Sequence, residues 1–246
     1  MNTLLELKSV NYAYDHKIVL KDVTLKIREN DFLGIIGPNG GGKTTLLKII
    51  VGLLQPMSGE IIARDGDNSR IGYLPQINQI DKKFPISVLD VVLSGLMSHK
   101  NLFGRYTSQN RKKAEALMSR IGIEHLKNKN IGELSGGQLQ RVFLCRAIVT
   151  DPHLLILDEP DTYVDQNFEG ELYEILDQLN KQMAIIIVSH DVGTIFSHVK
   201  TIACVNKTLC YHDSNIISPE QLKAYNCPID ILTHGEVPHR VLKHHH

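Results

Sequence analysis

Gly37, Pro38, Asn39, Gly40, Gly41, Gly42, Lys43 and Thr44 follow one another in the order G-x-x-x-x-G-K-T. Phosphate chemistry dictates that composition. Glycines let the backbone curl until successive N–H groups point inward at phosphate oxygens. A helix starting at the end of the loop adds its positive N-terminal end. Lys43 is then placed to bridge the β and γ phosphates of a nucleoside triphosphate, and the Thr44 hydroxyl to ligate Mg²⁺. An ordinary Gly-rich turn would not need a strand before it and a helix after it, and both are present here.

Three further stretches carry chemistry. Leu154, Leu155, Ile156 and Leu157 run into Asp158 and Glu159, an apolar strand that delivers two carboxylates at its C-terminal edge. In an open α/β sheet that edge is where ligands bind. Asp158 suits a water-mediated hold on Mg²⁺, and Glu159 the polarisation of an attacking water. Leu134-Ser135-Gly136-Gly137-Gln138 opens another helix, so Ser135, Gly136, Gly137 and Gln138 make a second anion-binding end. One domain has a single γ-phosphate to bind, so the second loop is free to serve the nucleotide of another molecule.

The elements that must position these residues follow from hydrophobic period. Leu5, Leu7, Val23, Leu25 and Ile27 alternate with polar residues, the mark of half-buried antiparallel strands. Phe32 to Ile36 is a short, wholly apolar strand that ends in Gly37, and residues 43–54 then carry Leu46, Leu47, Ile49, Ile50 and Leu53 at helical spacing. Residues 88–97 and 111–121 read as helices of a small subdomain inserted over about 84–132. Beyond it come a helix at 138–149, a strand at 154–158, a helix at 165–180 and a strand at 184–190. Apolar strands alternating with helices imply a largely parallel sheet covered on both faces. Periodicity is weak after Cys204. Residues 1–225 read as one domain, and 226–246 as an irregular extension containing histidine.

Composition narrows the function class. Lys+Arg and Asp+Glu both number 27, so there is none of the basic excess of a nucleic-acid binder. No apolar run approaches a membrane span, and no secretory leader is expected at the N-terminus. The chain is therefore expected to stay in the cytoplasm. Cys145, Cys204, Cys210 and Cys227 lack CxxC spacing and are expected to be thiols.

Taken together, residues 37–45, Gln76, residues 134–138 and 154–159, Asp165 and His190 resemble the nucleotide-binding subunit of ABC transporters over about residues 1–210. The resemblance implies a P-loop NTPase core of the ABC type, with an antiparallel β subdomain and an inserted α-helical subdomain. It also implies ATP and Mg²⁺ as ligands, with Thr45 joining the phosphate site. In that family two subunits pair head to tail, and each ATP lies between the phosphate loop of one and the 135–138 loop of the other. Tyr14 takes the place of the aromatic that stacks on adenine, with Tyr12 its near neighbour. Gln76 corresponds to the glutamine that contacts Mg²⁺ and signals to the membrane subunit, Asp165 to the aspartate that follows the Pro160 segment and is counted with the nucleotide-binding residues, and His190 to the histidine on the γ-phosphate. One departure stands out: Tyr163 is bulky where the family has small residues after Pro160.

The segment Phe84-Pro85-Ile86-Ser87-Val88-Leu89-Asp90-Val91-Val92 resembles the zinc/manganese importer branch, and lies where the family forms the groove for its membrane partner. Gly41, in place of the commoner serine, also resembles that branch. The resemblance thus implies a homodimer on the cytoplasmic face of the inner membrane. It would be bound to a polytopic permease and served indirectly by an extracytoplasmic metal-binding protein. Cys204, Cys210, His212, Cys227, His234 and His239 leave two readings: a regulatory Zn²⁺ site, or surface histidines on an irregular tail. His244–His246 fit either a tag remnant or a natural ending. The alternatives to metal uptake are a soluble ABC-type ATPase of DNA repair or translation, or an importer ATPase for another substrate such as an iron chelate. Only roughly ninety residues separate Thr44 from Ser135, without heptads, which opposes the coiled-coil repair type. A subunit that binds ATP without hydrolysing it is opposed by Glu159 and His190.

Overall fold

The computed structural model describes residues 2–64, 71–76, 84–97, 105–160, 166–189, 192–215, 231–233 and 238–240. Two amphipathic strands come first, β1 (Thr3–Tyr14) and β2 (Lys17–Arg28), paired antiparallel with Leu5 opposite Ile27 and Leu7 opposite Leu25. Because side chains alternate faces along a strand, this register gathers Leu5, Leu7, Val23, Leu25 and Ile27 on one buried face. Next come β3 (Phe32–Ile36), helix α1 (Lys43–Ile50) and strand β4 (Ser58–Ala63), the last returning to the free edge of β1. The three-stranded sheet β2-β1-β4 is the antiparallel layer expected from the period-two pattern.

The rest of the described chain runs β5 (Ile71–Leu74), α2 (Val88–Ser94), α3 (Ser108–Arg120), α4 (Gly136–Ile148), β6 (Leu154–Asp158), α5 (Gln166–Asn180), β7 (Ala184–Val188), α6 (Val192–His198), β8 (Thr201–Asn206) and β9 (Thr208–His212). A six-stranded sheet forms in the order β5-β6-β7-β3-β8-β9. Its strands are parallel except β9, which turns back antiparallel on β8. The strands of a parallel sheet are covered on both faces, so they are continuously apolar, and β3, β6 and β7 are buried along their whole length. Phe32, Ile36, Ile185 and Ile187 face a core shared with Leu144, Leu172 and Leu176 of α4 and α5. Leu33, Ile35, Ile186 and Val188 face the opposite core, with Leu46 and Ile50 of α1 and the inner face of β1 and β2.

A third core belongs to the helical unit. Val88 and Val92 of α2, Ala114 and Met118 of α3, and Val142 of α4 meet there. Ser87 Oγ caps α2 by accepting from Asp90 N at 3.1 Å, and Thr107 Oγ1 caps α3 by accepting from Asn110 N at 3.1 Å. Where α2 crosses α4, a Cβ on Gly95 would stand 2.3 Å from the Arg146 carbonyl, so only glycine allows that approach.

Several element ends differ from the sequence reading. The stripe through Leu53 predicts a helix to residue 54, but α1 stops at Ile50. Gly52 turns left-handed at φ 78, its N–H bonds the Ile49 carbonyl and the Leu53 N–H bonds the Lys48 carbonyl. This paired closure ends a helix firmly. The weak period after Cys204 conceals a hairpin, because β9 turns Cys210 and His212 toward the covered face where apolar residues would have announced it. Within the tail expected to be irregular, β10 (Ile231–Thr233) and β11 (Pro238–Arg240) pair antiparallel, and β11 runs beside α6. Among the described residues no helix is long and apolar enough to cross a membrane.

Candidate nucleotide site

β3 delivers the phosphate loop from the middle of the sheet, and three neighbours hold it. A Cβ on Gly37 (φ 151) would lie 2.1 Å from the Val205 carbonyl oxygen, and one on Gly41 would lie 2.8 Å from the same atom. Gly42 (φ 104) is pressed on its other side, where a Cβ would come within 2.9 Å of the Val19 carbonyl. Gly40 (φ 74) has nothing within 4 Å, so it supplies only the left-handed turn. The Lys207 N–H, at the β8–β9 turn, donates to the Gly41 carbonyl at 2.9 Å, while the Lys207 carbonyl accepts from Lys21 N at 2.7 Å. Val19, Val205 and Lys207 were missed by sequence reasoning. Only Asn206-Lys207-Thr208, a polar triplet between apolar runs, signals the turn.

Lys43 is 6% exposed, and its ammonium donates to the carbonyls of Gly37 and Pro38 at 3.0 Å each. It therefore lies folded into the loop it serves, beside the positive end of α1. Thr44 Oγ1 lies 3.3 Å from Asp158 Oδ1, joining α1 to the end of β6. Thr45 is buried just beyond. Asp158 is 1% exposed, and its Oδ2 has no hydrogen-bond partner among the described residues. Burial raises the Asp158 pKa first, the Thr44 hydroxyl lowers it, and the Glu159 charge raises it further. The neighbouring Tyr73 phenol is pushed up to about 12 by its own burial and by the Asp158 charge. A buried carboxylate oxygen without a donor, next to a hydroxyl, is the hard oxygen set that suits Mg²⁺.

Glu159 follows at once, with φ 53, a backbone state that costs a non-glycine residue about 1 kcal/mol or more. Its N–H donates to the Val188 carbonyl at 2.9 Å, which fixes the bend at the sheet's edge. The bend brings the carboxylate to Gln76, whose Nε2 donates to Glu159 Oε2 at 2.6 Å. Gln76 lies just beyond β5, the parallel neighbour of β6. Lys43, Thr44, Gln76, Asp158 and Glu159, spread over the chain, thus meet at the C-terminal edge of one sheet.

Residues 20–162 match the family model described as "ABC transporter". The chain belongs to that family. A Thermotoga maritima protein assigned as the ATP-binding protein of a metal transport system is 39% identical over 94% of each chain. The zinc import ATP-binding protein ZnuC of Pasteurella multocida is 39% identical over 84% of this chain and 74% of its own. A solved ABC transporter structure, inward-facing and assigned to the metal-chelate type, superposes with TM-score 0.84 at 27% identity, covering 98% of this chain and 97% of its own. The protein is the ATP-binding subunit of an ABC transporter, an ATPase that works with a membrane permease. The readings as a repair or translation ATPase, and as a non-hydrolysing subunit, give way to this one.

Other predicted site residues of this ABC subunit lie in different surroundings. Ser135 caps α4, its Oγ accepting from Gln138 N at 3.3 Å while Ser135 N donates to Gln138 Oε1 at 3.2 Å. This reciprocal cap leaves the exposed Gly136 and the half-buried Gly137 in the first turn. Tyr14 stands at the end of β1, 43% exposed, edge-on to Tyr12 with ring centroids 4.9 Å apart. Asp165, His190 and the unusual segment 161–165 lie outside the described residues, as do Cys227, His234 and His244–His246. Beside the site, a groove of about 530 Å³ opens between Lys48 of α1 and Leu53 just beyond it, Tyr73 of β5 and Pro75 before Gln76, and Ser94 and Arg146 of the helical unit.

Proposed function

We propose that this subunit powers uptake of a divalent metal ion, zinc or manganese, by paired ATP binding and hydrolysis. The observation that carries the metal assignment is its likeness, at 36–39% identity, to ATP-binding proteins of zinc uptake, zinc import and metal transport systems. An iron chelate is the second cargo reading, favoured by the likeness to a metal-chelate type transporter.

In the proposed cycle Tyr14 stacks on adenine and the N–H groups of residues 37–45 wrap the phosphates. Lys43 swings from the Gly37 and Pro38 carbonyls to the β and γ phosphates, exchanging two neutral acceptors for a doubly charged one. Thr44, Asp158 and Gln76 would hold Mg²⁺, which supplies charge neutralisation between the transferring phosphates. Glu159 orients and deprotonates the attacking water, and His190 contacts the γ-phosphate. The cap at Ser135, Gly136, Gly137 and Gln138, with Asp165, serves the ATP of a second copy, so the working unit is a homodimer. The groove beside Gln76 receives a cytoplasmic element of the polytopic permease, which places the subunit peripherally on the cytoplasmic face of the inner membrane. A metal-binding extracytoplasmic protein delivers the cargo.

The test is transport in proteoliposomes holding the subunit with its permease partner. Zinc or manganese is expected to accumulate only with ATP and only with intact Glu159. Accumulation of an iron chelate with neither ion moving would overturn the cargo assignment.

A further inference from the structure

Cys204 and Cys210 lack any short motif spacing, yet the β8–β9 hairpin sets them directly opposite one another. Strand alternation turns both to the same face. Cys204 and Ile202 belong to the core shared with α4 and α5, and Cys210 packs at its edge, whereas Ala203, Val205, Leu209 and Tyr211 belong to the opposite core. Opposed residues of an antiparallel pair have Cα atoms about 4.5 or 5.5 Å apart. Disulfides span about 4.4–6.8 Å, so the backbone already has the separation that a bond requires. Both are thiols in the structure; Cys204 is 6% exposed, and the half-buried Cys210 is the more accessible of the two.

The same hairpin holds the phosphate loop. Asn206 and Lys207 follow Cys204 and Val205; Val205 O abuts Gly37 and Gly41, and Lys207 N bonds the Gly41 carbonyl. The two cysteines thus lie within a few residues of the contacts that hold the phosphate loop.

We propose that Cys204 and Cys210 form a dithiol modification site, closed to an intramolecular disulfide by a small-molecule disulfide of the glutathione class, and that closure displaces the turn holding the phosphate loop. The second half rests on the reading of that loop as the ATP site. The Cys210 thiolate attacks one sulfur of the oxidant, breaking its S–S bond and releasing one thiol. The Cys204 thiolate then attacks Cys210 Sγ in the mixed disulfide and expels the second thiol. Two protein S–H groups are oxidised, one external disulfide is reduced to two thiols, and these carry away both protons.

The experiment uses the full chain with Cys227→Ser, so that Cys145 is the only other cysteine. Cys145 is wholly buried, and burial pushes its thiol up to about 12, so it serves as the unreacted standard. The protein is treated with oxidised glutathione, alkylated, digested and mapped by mass spectrometry, and ATP affinity is measured before oxidation, after it, and after re-reduction. A peptide pair linked through Cys204 and Cys210 is expected, with an ATP Kd raised about fivefold, the effect of losing one backbone hydrogen bond, and restored by reductant. With Cys204→Ser, Cys210 is expected to stop at the mixed disulfide. Cys204 and Cys210 alkylated equally before and after oxidation would overturn the site, and a linked pair with unchanged ATP Kd would overturn its coupling to the loop. A chain that binds no ATP even when reduced would instead fail the nucleotide-site reading, with the peptide map still deciding the disulfide.

Discussion

Gln76 donates a 2.6 Å hydrogen bond to Glu159 Oε2, tying the segment after β5 to a carboxylate set on a left-handed backbone at the end of β6. The residue proposed to activate water is thus held by the residue that leads toward the groove beside the helical unit. Glu159→Gln keeps a hydrogen-bonding side chain of the same shape in that place, so folding and ATP binding are expected to persist. Turnover is expected to fall by roughly 10²–10⁴ with loss of the general base, and a dimer with trapped ATP to appear by size-exclusion chromatography. Turnover at the wild-type rate would remove Glu159 from the chemistry.

Lys43→Ala removes a buried ammonium whose partners in the structure are carbonyls of its own loop. Gly37 and Pro38 are half-buried, so water can replace the ammonium at their carbonyls, and the melting temperature is expected to change little. ATP affinity is expected to drop by on the order of 100-fold or more, as when one side of a charge-assisted phosphate contact is deleted. Equilibrium binding of a fluorescent ATP analogue measures it.

Two glycines of one loop are expected to respond differently. Gly37→Ala drives a methyl group to 2.1 Å from the Val205 carbonyl, a collision with backbone that cannot rotate away. A loss of roughly 3 kcal/mol in unfolding free energy is expected, together with ATP binding. Gly40→Ala meets nothing and carries only the strain of φ 74, about 1 kcal/mol. Urea titration of the two variants separates close approach from conformational strain; equal losses would contradict the contact with Val205.

Acid stability should bear the mark of His212. Burial depresses its pKa below the ordinary 6.5, so the unfolded chain takes up a proton more readily than the folded one. Its contribution is therefore fully present above pH 6.5 and is lost as pH falls through the depressed folded value. His212→Asn is expected to flatten the melting temperature against pH in that window relative to the unsubstituted chain. Parallel curves for the two proteins would argue against a buried neutral imidazole.

Much of this protein is written locally. The run from Gly37 to Thr44 has the composition of a phosphate loop, because backbone freedom, charge and a hydroxyl stand within a few bonds of one another. The apolar runs of β3, β6 and β7 specify a covered parallel sheet because burial on both faces removes every polar position. Nothing local could show that Val205 and Lys207 hold that loop, since their contacts to Gly37 and Gly41 arise from β8 lying beside β3 in the sheet order. The bond between Gln76 and Glu159 likewise needs β5 and β6 to be neighbours, and Cys204 meets Cys210 only through the register of a hairpin whose period is masked by polar residues. Sequence by itself determined which residues have the chemistry for ATP. Tertiary structure decided what holds them, because strand order and register bring together residues that are distant in the chain or that carry no spacing signal.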